Sequence, residues 1–237
     1  MEKIELLKQE ISYALAEELK TLRTNILFSG GDKKVIMITS CLAGEGKSTV
    51  SLNIAKSFTE IGKKVLYIDA DLRKSVFVKQ VVKGKMKNGL SSYLSGQAKV
   101  QEVMYGTDIS GLFVIHAGVI PPNPSELLST PAFSKLIQAS KELFDYIIID
   151  CPPLGMVVDA AVIAPSCDGA VLLIESYNIK YSFAQEVKNK LISTKCPVLG
   201  VVLNKVDRKK ENKYYGKYYQ KRYESYYKVE ETEKVES

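Results

Sequence analysis

A chain of 237 residues, 46% apolar and 25% charged, can bury one substantial core and is cramped for two. Its net charge of +6 is modest, and residues 208–237 carry a local +3 of it, from nine Lys or Arg against six Glu. Apolar runs such as Val35 to Ile38 fall far short of the roughly 18 residues of a membrane helix. Cys41, Cys151, Cys167 and Cys196 lack CxxC spacing, which argues against a zinc site or a disulfide framework and predicts reduced thiols. The N-terminus MEKIELLKQE leads into no signal-type apolar region, and a cytoplasmic chain is expected.

In chain order, Ile11, Leu15, Leu19, Leu22 and Ile26 recur at steps of three and four, which predicts a helix within residues 1–30. Six β-branched runs follow: Val35 to Thr39, Val65 to Asp69, Leu112 to His116, Tyr146 to Asp150, Ala170 to Glu175 and Val198 to Asn204. Helix-like or polar stretches separate them. Nearly continuous apolar strands in this alternation predict an α/β fold, a mainly parallel sheet covered by helices on both faces, over residues 31–207. The segment between Arg73 and Leu112 is richer in Lys, Gly and Ser and reads as helices and loops beside the sheet. Pro121, Pro122 and Pro124 make an extended passage, and Thr130 before Pro131 reads as the N-cap of a helix through Lys141. Residues 208–237 are charged, tyrosine-rich and aperiodic, and read as a flexible tail.

The strongest chemical signal is the run from Cys41 to Thr49, CLAGEGKST, after a strand and before a helix. Its glycines let backbone N–H groups turn onto phosphates, and the helix N-terminus adds positive potential. Ala43, Gly44, Glu45, Gly46, Lys47, Ser48 and Thr49 are thus the candidate nucleotide contacts, with Lys47 on the β and γ phosphates and Ser48 on Mg2+. Cys41 replaces the first glycine of the strict pattern. Asp69, Asp71 and Asp150 stand at strand ends, where ligands collect in open parallel sheets. One such Asp is often only a helix cap, but three with a phosphate loop predict a Mg2+ site.

The phosphate loop, the IDADLR motif at Ile68 to Arg73, the IIIDCPP motif at Ile147 to Pro153, GVIPPNPSELL at 118–128 and the terminal tyrosines together resemble the bacterial tyrosine kinases of capsule and exopolysaccharide systems. That resemblance implies ATP and Mg2+ as cofactors, Asp71 and Asp150 on the metal, Asp69 as candidate base and Arg73 on phosphate. It implies autophosphorylation, in trans, of Tyr214, Tyr215, Tyr218, Tyr219, Tyr223, Tyr226 and Tyr227, which are seven of the chain's fourteen tyrosines packed into fourteen residues. By itself such a tail reads equally as an aromatic-basic arm for nucleic acid or an acidic membrane; beside this nucleotide site the substrate reading is preferred and no nucleic acid is expected. The family's ring-forming motif, a Glu and two Arg at three-residue spacing, is matched by Glu17, Lys20 and Arg23, with Lys lacking the planar fork of the first Arg. Further implied partners are a separate transmembrane activator or adaptor of the polysaccharide co-polymerase type, which would recruit the chain to the inner face of the membrane, and a cognate tyrosine phosphatase.

Rival readings rest on single features. Asn204-Lys205-Val206-Asp207 has the NKxD form that reads guanine in GTPases, so Asn204 is a candidate base contact and the choice of ATP over GTP is open to competition assays. A partitioning or positioning ATPase would carry a signature lysine where this chain has Leu42. A nucleotide-switch regulatory subunit, with the tail as a binding arm, is the alternative outside catalysis. His116 reads as a packing or strand-end residue, Asp159 and Asp168 as cap or turn residues, and Cys41 as either inert or, with its thiolate stabilised by the loop, oxidation-sensitive.

Overall fold

The computed structural model describes residues 2–8 and 11–207. In chain order its elements are β1 (Lys3–Leu6), α1 (Tyr13–Phe28), β2 (Val35–Ser40), α2 (Lys47–Thr59), β3 (Val65–Asp69), β4 (Val81–Lys83), α3 (Leu90–Leu94), α4 (Val100–Val103), β5 (Tyr105–Thr107), β6 (Leu112–Ile115), α5 (Pro124–Leu128), α6 (Pro131–Lys141), β7 (Tyr146–Asp150), α7 (Asp159–Ile163), β8 (Gly169–Glu175), α8 (Tyr181–Ser193) and β9 (Val198–Asn204). The strands form one sheet in the order β4-β1-β5-β6-β3-β7-β2-β8-β9. Among the described residues it is parallel from β6 through β9, and the antiparallel pairs are β1–β4 and β5–β6.

The central strands β2 and β3 are buried at every position, and alternation sends their side chains to opposite faces. Val35 and Met37 join the core shared with α6 and α8, whereas Ile36 and Ile38 join the core under α1 and α2, with Ile54 and Phe58. The α1 stripe is as expected in its middle, with Leu19 and Ile26 buried, but Ile11 precedes the helix and, like Leu15, is about 40% exposed.

Three strands depart from the sequence reading. Residues 73–112, read as helices and loops, contribute β4 and β5 to the sheet, and the stretch read as an N-terminal helix also contributes β1, parallel to β5, with Ile4 and Leu6 buried. Thr130 does not cap α6 with its side chain; its hydroxyl donates back to the Leu127 carbonyl at 2.7 Å. No helix among the described residues is long and apolar enough to cross a membrane.

Candidate active site

The phosphate loop leaves the central strand β2 and returns as α2. Gly44 and Gly46 both take positive φ, +84° and +96°; at Gly46 a Cβ would also lie 2.3 Å from Asn204 Nδ2. Glu45, fully buried, organises the loop by accepting from Leu42 N at 2.6 Å and from Glu175 N, at the end of β8, at 2.8 Å. From the end of β9, Asn204 Nδ2 donates to Glu45 O at 2.7 Å and Lys205 Nζ to Gly44 O at 2.8 Å. Lys205 also pairs with Glu175 at 3.2 Å. The NKxD-like segment therefore grips the backbone of the phosphate loop. Lys47 and Ser48 open α2, Thr49 is exposed on its first turn, and Ala43 N meets Met156 Sδ at 3.3 Å.

Register places the acids. Asp69 and Asp150 are direct partners across β3 and β7, at the C-terminal edge of the sheet, and both are about 1% exposed. The loop after β7 is tied to the end of β2 by Thr39 Oγ1, which donates to Pro152 O at 2.8 Å and accepts from Leu154 N at 3.2 Å. Gly155 comes so close to the phosphate loop that a Cβ there would lie 2.1 Å from Cys41 O.

Burial, then the neighbouring Asp150, pushes Asp69 up to about 8 against opposing hydrogen bonds from Ser75 and the Asp71 backbone. Burial pushes Asp150 up to about 6, and Ser48, Lys47 and Tyr67 pull the other way. Two carboxylates side by side in a dry site resist ionising together unless a cation is supplied. Asp150 Oδ2 accepts from Tyr67 OH at 3.2 Å, while Asp150 Oδ1 is the one buried side-chain polar atom without a partner among the described residues. That orphaned oxygen, beside Ser48, fits a Mg2+ ligand. No three His, Cys, Asp or Glu side chains of the described residues form a ready-made cage, which suits an ion that binds through one or two carboxylates, water and substrate phosphate.

The turn after β3 is ordered by its own acids. Asp71 N donates to Asp69 Oδ1 at 3.2 Å, Ser75 Oγ donates to Asp69 Oδ2, and Asp71 Oδ1 accepts from Arg73 N at 3.2 Å and Lys74 N at 2.9 Å. Arg73, expected on phosphate, points elsewhere: Nε donates to Asp159 Oδ2 at 2.6 Å and Nη2 to Asp159 Oδ1 at 3.0 Å. Asp159 is accordingly more than a cap residue. Asp168 does serve as a turn anchor, accepting from Lys34 N and Val35 N and pairing with Lys141 at 2.7 Å.

Cys41 is buried and its thiol is pushed up to about 11, by burial and then by Glu45, so the thiolate-based sensitivity is not supported. All four cysteines are free. His116 Nδ1 accepts from Gly118 N at 3.1 Å and Nε2 lies 2.9 Å from Asn88 O, a packing role. Glu17 and Lys20 form an exposed pair at 2.8 Å, whereas Arg23, 12% exposed in its side chain, turns onto α2, donating to Ser57 O and lying 3.4 Å from Glu60. The tail tyrosines Tyr214, Tyr215, Tyr218, Tyr219, Tyr223, Tyr226 and Tyr227 lie outside the described residues. Sequence reasoning missed Tyr67, Ser75, Ser125 and Glu175 as site residues; Tyr67 and Glu175 lie within strand runs and Ser125 within the 118–128 motif, but nothing local marks what they bond to.

Fold and site together define a P-loop nucleotide-binding domain, and a family model described as an AAA domain matches residues 33–192. The tyrosine-protein kinase CpsD of Streptococcus agalactiae is 42% identical over 209 residues, 87% of this chain and 91% of that protein. The crystal structure of the chimerical protein CapA2B2 superposes with a TM-score of 0.77 at 30% identity, covering 86% of this chain and 93% of that one. A more distant match is the septum site-determining protein MinD of Pyrococcus horikoshii OT3, complexed with Mg-ADP: TM-score 0.63, 26% identity, 74% and 71% coverage. The chain belongs to the bacterial tyrosine-protein kinase family and is an ATP-binding protein-tyrosine kinase.

Proposed function

We propose that this kinase transfers the γ-phosphoryl group of ATP to the C-terminal tyrosines Tyr214, Tyr215, Tyr218, Tyr219, Tyr223, Tyr226 and Tyr227 of a neighbouring copy, and that the modification regulates capsule or exopolysaccharide synthesis and export. The observation that carries the reading is Asp69. It is a carboxyl whose proton affinity is raised by burial and by Asp150, at the strand-end edge that also bears the phosphate loop, as suits a group that takes a phenol proton. Lys47 and the backbone N–H groups of residues 43–48 orient the phosphates. Mg2+, held by Ser48 and Asp150 with Asp71 directly or through water, would supply charge neutralisation. In the transfer the bond from the γ-phosphorus to the ADP oxygen breaks as the bond to the phenol oxygen forms, and the phenol proton passes to Asp69.

A separate transmembrane activator, recruitment to the inner face of the membrane, a cognate phosphatase and ring assembly complete the proposal. MinD's complex with Mg-ADP supports the choice of an adenine nucleotide and Mg2+. The test is phosphosite mass spectrometry on protein from its native host, wild type against Lys47→Met at equal levels with the activator present. Tail phosphotyrosine in wild type and none in the variant is expected; transfer onto a Lys47→Met chain by an active copy with its own tail removed would establish the trans route. Equal or absent tail phosphorylation in both would leave a nucleotide-switch subunit whose tail is a binding arm.

A further inference from the structure

The hydrogen bonds around Arg73 close a ring across three segments far apart in sequence. Arg73 belongs to the turn after β3, Ser125 to α5 in the proline-rich segment, and Asp159 to the start of α7. Arg73 holds Asp159 bidentately; Arg73 Nη2 also donates to Ser125 Oγ at 3.0 Å, and Ser125 Oγ donates to Asp159 Oδ1 at 2.5 Å. Asp159 is fully buried and Arg73 is 40% exposed. Burial works to raise the Asp159 carboxyl, but hydrogen bonds from Arg73 and Ser125 and the Arg73 charge outweigh it, and the net shift is downward. Withdrawing the guanidinium would strand a buried carboxylate, a large penalty, so Arg73 is committed here.

The ring bears on the reaction through the turn it anchors. Within residues 69–75 the carboxylates of Asp69 and Asp71 are fixed only to their own turn, by Asp71 N, Ser75 Oγ, Arg73 N and Lys74 N, with Asp69 also in register beside Asp150. The Arg73 side chain ties that turn to the segments at 118–128 and 154–163. These expose Val119 and Ile120 on one side and Met156 and Val158 on the other, and Met156 reaches the phosphate loop. A kinase, unlike a hydrolase, must hold a phenol oxygen rather than water in line with the phosphorus, and a misplacement of about 1 Å costs on the order of a hundredfold in rate.

We propose that Asp159 and Ser125 are positioning residues: through Arg73 they lock the acceptor wall of the site, so that the γ-phosphoryl group passes to tyrosine and not to water. The inference rests on the kinase reading above. With water as acceptor the same phosphorus–oxygen bond to ADP breaks, inorganic phosphate forms and the proton goes to solvent, so the two fates can be counted separately.

The experiment measures phosphotyrosine formed against inorganic phosphate released, for full-length wild type, Asp159→Asn and Arg73→Lys, with nucleotide affinity for each. Lys keeps the charge but loses the fork. A fall of at least tenfold in the transfer-to-hydrolysis ratio in both variants, with nucleotide Kd within twofold of wild type and a double variant no worse than either single one, is expected. Should either fold poorly, Ser125→Ala is read in the same way, with a smaller fall. Variants that lose both products in proportion, keeping the ratio, would make the ring merely structural and overturn the proposal. Wild type that releases phosphate but makes no phosphotyrosine would instead remove the kinase reading, and this inference with it.

Discussion

At the scale of single residues the site is governed by carboxylates placed where they do not readily ionise. Asp69 has a folded-state pKa raised to about 8, far above the value of about 3.9 for an unfolded chain. Between those values the folded state binds more protons than the unfolded one. Stability is therefore fully present below the lower value and lost as pH rises through the upper one. Protein free of nucleotide and Mg2+ should accordingly show a lower denaturation midpoint at pH 8.5 than at pH 6. Asp69→Asn, which removes the titrating group, should flatten the dependence, and unfolding curves at the two pH values check it. A midpoint that rises with pH in wild type would mean that Asp69 does not hold its proton across this range.

Among the elements, α1 holds a residue with two competing assignments. Arg23 falls in the expected oligomerisation motif, yet its guanidinium donates to the carbonyl of Ser57 near the C-terminus of α2, where the helix dipole favours a cation. Arg23→Ala should lower the stability of the folded chain by about 1–2 kcal/mol, measured by denaturant unfolding at a concentration where only monomer is present. Loss of oligomer in that variant is then no proof of an interface. Lys20→Ala is the cleaner probe: among the described residues its amine pairs with the exposed Glu17, so the unfolding midpoint should hold while any assembly built on that face weakens. The same helix shows what a sequence displays and what it hides. Its apolar spacing was legible, as were the six strands read from long β-branched runs. The strands β1, β4 and β5 were not, because KIEL, VVK and YGT are three or four residues long, too short for a period, and only pairing with one another and with β6 defines them. Likewise the phosphate loop and the three acids were legible because each sits inside one contiguous motif. The Arg73–Asp159 pair joins residues 86 apart, and nothing local to either announces the other.

For the whole molecule, charge connects the site to the stretch beyond residue 207. Residues 208–237 carry +3, and under the proposed function this basic stretch is the acceptor that a neighbouring copy's site receives. Each phosphate adds about −1.5 to −2, so seven take the stretch from +3 to roughly −7 to −11 and the chain from +6 to roughly −5 to −8. If a neighbour's tail enters the site while basic, as proposed, and is repelled once it is saturated, modification becomes a switch against self-association. Light scattering on matched unmodified and fully phosphorylated protein should show a lower mass for the phosphorylated form at about 50 mM salt. Raising the salt to about 0.5 M should narrow the difference, since screening shortens the reach of the repulsion to a few ångströms. Equal masses at low salt would mean that tail charge does not govern assembly. A difference that survives high salt would locate the switch in a contact made or broken by the phosphate itself, because a field effect acting through solvent is screened and a bidentate hydrogen bond to an arginine is not.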